Sequence, residues 1–413
     1  MDRTTARSGV LWSLMLLLLP LSPLLTAVAA QATMVGNAGG PWRPQRFSAS
    51  DAVVDPDDRS LDNEIIEDYA KLPRPPTPGV EQFYDYTASL YMEKMVRRWA
   101  PLIWLAPDEQ FLPGSVSDFL NHVTPRPPRT SQDPQQLLLQ SKVPMGPESQ
   151  TWFLVTKSEI GQLLENSTSV LYGQNPNATQ VPVYAYVTEC GRKKFHVSYW
   201  LFFPFSQGKP ICTLDMGVLG PLPLPVINNR CFGTLKEFGS HVGDWEHMSL
   251  MFNGHDEPDE MYVSVHDAGA FYRFDGNRRK FVFDRQEVRK GFLQKPKFPE
   301  VVHLTNEGNH PVLFAAKGSH GLWTAPGKHK YVRIPRLYDD SGYGMPWKTW
   351  TWVEVLKSSK KLPGWMQYYG KWGNPHSKCH PLSKVGLQIC QFTDGPTGIP
   401  MKPHDFQCQN ATD

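Results

Sequence analysis

Apolar residues along this chain fall in short, punctuated runs rather than at helical spacing. Residues 102–105, 183–187, 197–205, 248–252, 261–265, 271–274, 280–283 and 312–316 are such runs, with glycine, proline, asparagine or aspartate close by. Runs of this length between turn-forming residues predict strands, and Asp275-Gly276 between two of them predicts a hairpin. One short helix is predicted from Glu81 to Trp99, ending before Pro101 because the residue preceding a proline disfavours helical torsions. Many strands with almost no amphipathic helix predict a mainly β fold, a β-sandwich with long loops and few short helices, over residues 81–408 as one domain, then a short tail at 409–413.

The first thirty residues are of another kind. Arg3 and Arg7 precede an apolar stretch over residues 11–25, and the segment ends in Ala27-Val28-Ala29-Ala30. This is the plan of a cleaved secretory signal peptide, residues 1–30, and Pro20, Pro23 and the small-residue end argue against a retained anchor. No later run is apolar and long enough to cross a bilayer, so the mature chain is expected without a transmembrane segment. It is expected to be secreted, or in the lumen of the secretory and vacuolar or lysosomal pathway. Residues 31–80, rich in Gly and Pro and then acidic, read as a poorly ordered leader. Arg97-Arg98 is either a processing site for that leader or an ordinary surface pair.

An oxidising compartment gives the six cysteines a role. Short loops favour Cys212 with Cys231 and Cys379 with Cys390, which leaves Cys190 with Cys408. A zinc site from His376, Cys379 and His380 is the alternative, although regular zinc-finger spacings are missing. The same compartment makes Asn166, Asn177 and Asn410, each in an Asn-X-Thr/Ser triplet, usable as glycan acceptors.

Composition narrows the function. A net charge of +2 gives no broad electrostatic case for nucleic acid or an anionic membrane as partner. The 12% aromatic content, with 38 prolines and 32 glycines, agrees with strands joined by many turns. A Gly-x-Ser-x-Gly elbow, a His-Glu-x-x-His helix, a phosphate-binding loop and a Cys-x-x-Cys pair are all missing from the sequence, which weighs against the common serine hydrolase, metalloprotease, nucleotide-binding and redox classes.

The densest chemistry lies in Gly239-Ser240-His241-Val242-Gly243-Asp244-Trp245-Glu246-His247. In an extended segment Asp244 and Glu246 share a face about 7 Å apart, and two unit charges at that distance repel by roughly 2 kcal/mol at an effective dielectric near 20. A divalent cation (Ca, Mg, Mn or Zn) on His241, Asp244 and Glu246 would relieve this, with Gly239 and Gly243 turning His241 toward the carboxylates. The competing reading is a strand end whose carboxylates pair with Lys or Arg. Two further strands end in a similar way, in His266-Asp267 and in Gly318-Ser319-His320-Gly321. His266, His320 and His247 are therefore candidate acid, base or coordinating groups on one shared rim.

Several motifs occur in a fixed order: Ala100-Pro101-Leu102-Ile103-Trp104-Leu105, Tyr199-Trp200-Leu201-Phe202-Phe203-Pro204-Phe205, His241-Val242-Gly243-Asp244-Trp245-Glu246-His247, Val263-Ser264-Val265-His266 and Ala316-Lys317-Gly318-Ser319-His320. In this order, and with Pro363-Gly364-Trp365 and Gly395-Pro396-Thr397-Gly398 closing the chain, the sequence resembles the vacuolar protein sorting-associated protein 62 family over roughly residues 95–408. The stretch from Lys209 to Lys236 is longer than that family's usual linker. A narrower similarity links the His241 motif to the heptapeptide of the necrosis-inducing, ethylene-inducing toxin-like proteins. That likeness implies a cation on His241, Asp244 and Glu246 in a β-sandwich, but the heptapeptide's second histidine is Gly243 here, so it does not imply cytolysin activity.

Three functions follow as expectations. One is a secreted glycoprotein that recognises a carbohydrate or lipid head group with help from a metal. A second is a metal-dependent hydrolase using the rim histidines. The third, implied only by the family's name, is a non-catalytic luminal factor in vacuolar or lysosomal protein sorting.

Overall fold

The structure, a computed structural model, describes residues 80–127, 143–191, 193–217, 220–224, 230–289, 296–332, 337–379, 390–402 and 406–408. The expected signal segment over residues 1–30, the expected leader up to residue 79, His380 and Asn410 lie outside these residues. Pro76–Asp413 forms one compact unit; the other, Met1–Pro75, lies outside the described residues.

Strands dominate. An eight-stranded sheet has the order β13 (Val301–His303), β12 (Lys280–Val288), β11 (Ala268–Asp275), β10 (Glu260–Val265), β9 (His241–Asn253), β5 (Lys194–Ser206), β4 (Val183–Gly191), β19 (Val353–Lys357). A four-stranded sheet has the order β15 (Leu322–Trp323), β14 (Val312–Ala315), β1 (Leu102–Leu105), β18 (Met345–Lys348). A smaller sheet joins β7 (Pro221–Pro223), β6 (Lys209–Asp215) and β8 (Thr234–Phe238). Paired ribbons are formed by β16 (Gly327–Val332) with β17 (Leu337–Ser341), β2 (Val123–Arg126) with β3 (Phe153–Thr156), and β20 (Ser377–Cys379) with β21 (Cys390–Phe392). The pairs β1–β14 and β4–β19 are parallel. The hairpin expected at Asp275-Gly276 joins β11 to β12, and the expected helix spans Val80–Arg98.

The two large sheets share one core. Phe195, Val197, Tyr199, Leu201 and Phe203 of β5 meet Ile103, Leu313, Trp323 and Trp347 of the smaller sheet there, and the helix adds Met92, Met95 and Val96. The opposite face of β5 is buried as well: Trp200 and Phe202 pack with Trp245, Phe119, Tyr368 and Trp372 in a second core. Burial on both faces is why 197–205 reads as an unbroken apolar run rather than an alternating one.

The His241 motif was expected to precede the strand beginning at Met248; it is instead the first half of β9. The break in alternation there has a cause. Opposite Pro204, Gly243 takes φ +69°, and a β-carbon on it would lie 2.0 Å from the Trp372 carbonyl oxygen. Past this point the alternation shifts by one, so that Val242 and Phe205 join the second core. His241 then faces the side of Asp244 and Glu246, as the glycine spacing suggested.

The disulfides are Cys190–Cys408, Cys212–Cys231 and Cys379–Cys390, the pairing expected from loop lengths. Cys379 is thereby removed from the alternative zinc set, and His376 instead bonds Asp394 at 3.0 Å.

Candidate functional site

At one end of the sandwich the start of β9, the turn from β10 to β11 and the loop from β14 to β15 border a crevice of about 580 Å³, whose walls include Asp244, Glu246, His247, His266, Arg289 and Lys402. Two of the loop histidines sit in left-handed backbone, His266 at φ +50° and His320 at φ +57°. Residues other than glycine seldom adopt this conformation, and such departures gather at functional sites.

His320 is fully buried and stacks on Phe203 with ring centroids 3.9 Å apart. Its Nδ1 lies 3.2 Å from Asp244 Oδ2 and its Nε2 lies 3.0 Å from the Phe111 carbonyl oxygen. Both neighbours are acceptors, so both bonds form together only when each ring nitrogen carries a proton. Burial pushes the Asp244 carboxyl up, but the bond from His320 and the nearby charges outweigh it and hold the group below its ordinary range. His320 therefore serves Asp244 and does not line the crevice.

Glu246, on the same face of β9, is 6% exposed. Its carboxyl makes no hydrogen bond or ion pair among the described residues. Burial, and then the charge of Asp244, push it well above the ordinary carboxylate range. Lys402, whose Nζ donates to the Trp245 carbonyl oxygen at 3.4 Å, is the nearby counter-charge. Burial pushes the Lys402 ammonium down while Glu246 and Asp244 pull it up.

His241 Nδ1 lies 2.7 Å from the Gly243 carbonyl oxygen. That acceptor fixes the proton on Nδ1 and leaves Nε2 as a lone pair, the tautomer that metal-binding imidazoles use. Burial holds the His241 ring below its usual value, against the pull of Asp244. His241, Asp244 and Glu246 are thus adjacent and chemically suited to a cation, but their ligand atoms are not drawn together. Among the described residues, the group with ligand atoms mutually within 4.8 Å is Cys190, His196 and Cys408, and both of those sulfurs are committed to a disulfide.

His266 projects from the turn after β10. Its Nε2 donates to Asp339 Oδ2 at 2.7 Å, and its ring stacks on Tyr331 at 4.1 Å. Asp339, in β17, has a fully buried side chain that also receives Lys209 Nζ at 2.9 Å, Ser319 Oγ at 2.7 Å and Trp323 Nε1 at 3.1 Å. Burial alone would raise its carboxyl, but His266 and Lys209 hold it well below the ordinary range.

The structure therefore brings His241, Asp244, Glu246, His247 and His266 to one crevice. His247 stacks on Trp200 at 4.1 Å, on the face of β9 opposite Glu246. Asn166 and Asn177 are exposed. Sequence reading missed Asp339, Lys402, Lys209 and Arg289. Asp339 sits in a polar run, Leu337-Tyr-Asp-Asp-Ser, with no neighbouring motif to single it out, and Lys402 reaches the crevice from the far end of the chain. Arg289 is fixed by Tyr262 Oη at 2.8 Å and Ser264 Oγ at 3.1 Å.

Comparison with known proteins shows what this chain is similar to. The model for vacuolar protein sorting-associated protein 62 matches residues 87–281. The vacuolar protein sorting-associated protein 62 of Saccharomyces cerevisiae is 23% identical over 332 residues, 72% of this chain and 63% of the relative. The putative vacuolar protein sorting-associated protein TDA6 of the same yeast is 24% identical over 251 residues, 57% of this chain and 47% of the relative. The matches thus span less than two thirds of either relative. Among solved structures, necrosis and ethylene inducing protein 2 from the causal agent of cocoa's Witches Broom disease is matched at 11% identity and a TM-score of 0.21, over 56% of this chain and 67% of that one. The matched region holds His241, Asp244, Glu246 and His266, while His320, Asp339 and Lys402 follow it. This chain is similar to the vacuolar protein sorting-associated protein 62 family, whose model matches residues 87–281.

Proposed function

We propose that this is a secreted or luminal glycoprotein whose crevice seats a divalent cation beside His241, Asp244 and Glu246 and, with it, recognises a carbohydrate or lipid head group. The observation that carries this reading is Glu246. Leaving a buried polar group without a partner costs roughly 1–3 kcal/mol, and more when it is charged, so such a group lining a crevice is one kept open for a ligand. His241 Nε2, the free oxygen of Asp244 and both oxygens of Glu246 form a mixed nitrogen and oxygen donor set of the kind that Ca, Mg, Mn or Zn accepts. A cation there would offer open positions to hydroxyl or phosphate oxygens. Arg289 and Lys402 add fixed donors, and the three disulfides suit an oxidising lumen.

The test is binding to a glycan array and to lipid vesicles, with each metal in turn and with chelator. Wild type is expected to bind at least one class of surface only with metal, and Glu246→Gln to bind none. Binding that is equal with chelator, or equal in Glu246→Gln, contradicts the reading.

A further inference from the structure

We propose that the crevice also turns over its ligand: His266, positioned by Asp339, is the general base for hydrolysis of a phosphodiester. This deepens the recognition reading and rests on it for the ligand's place. The geometry is that of a built dyad. The Asp339 carboxylate accepts from His266 Nε2 at 2.7 Å and is itself fixed by Lys209, Ser319 and Trp323. An aspartate that accepts from one ring nitrogen sets the tautomer, so the proton stays on Nε2 and the basic lone pair is at Nδ1. Nδ1 has no partner among the described residues, and His266 lines the same crevice as Glu246. The ring cannot swing freely, since Tyr331 stacks on it and its backbone is held in the left-handed region. A structural histidine needs neither a ring nitrogen without a partner in a residue that lines a cavity nor a strained backbone to hold it there.

Charge selects the substrate class. Lys209, Arg289, Lys371 and Lys402 line the crevice against Asp244, Glu246, Asp267 and Asp394. With Asp339, which pairs with Lys209, counted as well, the acidic groups exceed the basic ones by a single charge, and a seated divalent cation turns the balance positive. That favours an anionic phosphodiester over a neutral carboxyl ester or glycoside.

In the step itself His266 Nδ1 takes a proton from water as the water oxygen forms a bond to phosphorus. The bond from phosphorus to the leaving oxygen breaks, and the leaving alkoxide takes a proton from solvent. His266 then returns its proton to solvent. One water is consumed, and a phosphomonoester and an alcohol are formed.

The experiment uses the secreted, disulfide-bonded protein with calcium, magnesium, manganese or zinc, on bis(p-nitrophenyl) phosphate and on phosphatidylcholine–phosphatidylglycerol vesicles. Turnover of vesicles alone assigns a lipid head group; turnover of the chromogenic diester assigns a soluble one. His266→Asn is the variant of choice, because asparagine tolerates positive φ, and its unchanged melting is the control for folding. General bases contribute about 100- to 10,000-fold, so kcat should fall by that much with little change in KM. Wild-type kcat/KM should rise with pH to a plateau, and His266→Asn should lack that limb. The groups facing His266 are Asp339, Tyr331, Arg289 and, through Asp339, Lys209, so Asp339→Asn should move the same limb, as a positioning residue does. Absence of turnover in wild type that still binds metal and vesicles overturns the dyad and leaves recognition standing. Turnover undiminished in His266→Asn overturns it as well. Loss of both binding and turnover in wild type overturns both readings.

Discussion

Two buried carboxyl groups stand in the same end of this sandwich under opposite conditions. Asp339 receives donors from His266, Lys209, Ser319 and Trp323. Glu246, comparably buried, receives none among the described residues. Their ionisation moves apart accordingly: Asp339 is held well below the ordinary carboxylate range and Glu246 is pushed well above it. Burial is the largest influence on both, so the difference is made by partners. A satisfied buried carboxylate holds other groups in place, whereas an unsatisfied one carries a cost that no described group offsets.

The largest effect should come from breaking the satisfied group. Asp339→Ala leaves Lys209 and His266 facing a buried gap and should cost about 3–5 kcal/mol, the usual cost of removing one partner of a buried pair, read from urea denaturation. Glu246→Gln in metal-free protein should cost nothing or add stability, because it keeps the shape while removing an acid whose ionised form burial and Asp244 disfavour. Equal losses in the two variants would erase the distinction.

Next comes the tie at the far end of β4. Replacing Cys190 and Cys408 together by serine should cost about 2–5 kcal/mol, again read from denaturation. Native protein should show no reactive thiol when titrated under denaturing, non-reducing conditions.

Acid then sharpens the comparison. Because the folded value of Asp339 is depressed, the stability it contributes is fully present above the ordinary aspartate value of about 3.9 and is lost as pH falls below it toward the depressed one. Wild type should show that acid limb in thermal melts, and Asp339→Asn should show a flatter one. A limb of the same slope in Asp339→Asn would assign acid sensitivity to other carboxylates.

Much of this arrangement was legible in the sequence. The short apolar runs marked the central strands, cysteine spacing gave the three pairings, and the same-face spacing of Asp244 and Glu246 follows from strand geometry. The motif was read as an extended segment ahead of the apolar run from Met248, and its place inside β9 was not seen because Gly243, at φ +69° opposite Pro204, shifts the alternation there. Asp339, Lys402 and Lys209 were not legible. Their importance comes from contacts with residues far away in the chain, and Asp339 lies 73 positions from His266. No local periodicity carries such information. Sequence reading placed a cation between the paired carboxylates and did not foresee that His320 bonds Asp244 or that Lys402 lies near Glu246.

The central claim is that Glu246 is kept for a divalent ion beside His241 and Asp244, and metal-dependent melting tests it most directly. A ligand bound by the folded state alone stabilises it by about 2.7 kcal/mol at a hundredfold excess over Kd. Wild type, Asp244→Asn and Glu246→Gln should be melted with chelator and with excess calcium, magnesium, manganese or zinc, and each should be submitted to elemental analysis. The account predicts a gain in wild type with at least one of these ions, together with bound metal, and neither in the two variants. Identical wild-type melts under every condition, with no metal found, would show that His320 and Lys402 suffice and that the carboxylates form a structural ion-pair cluster.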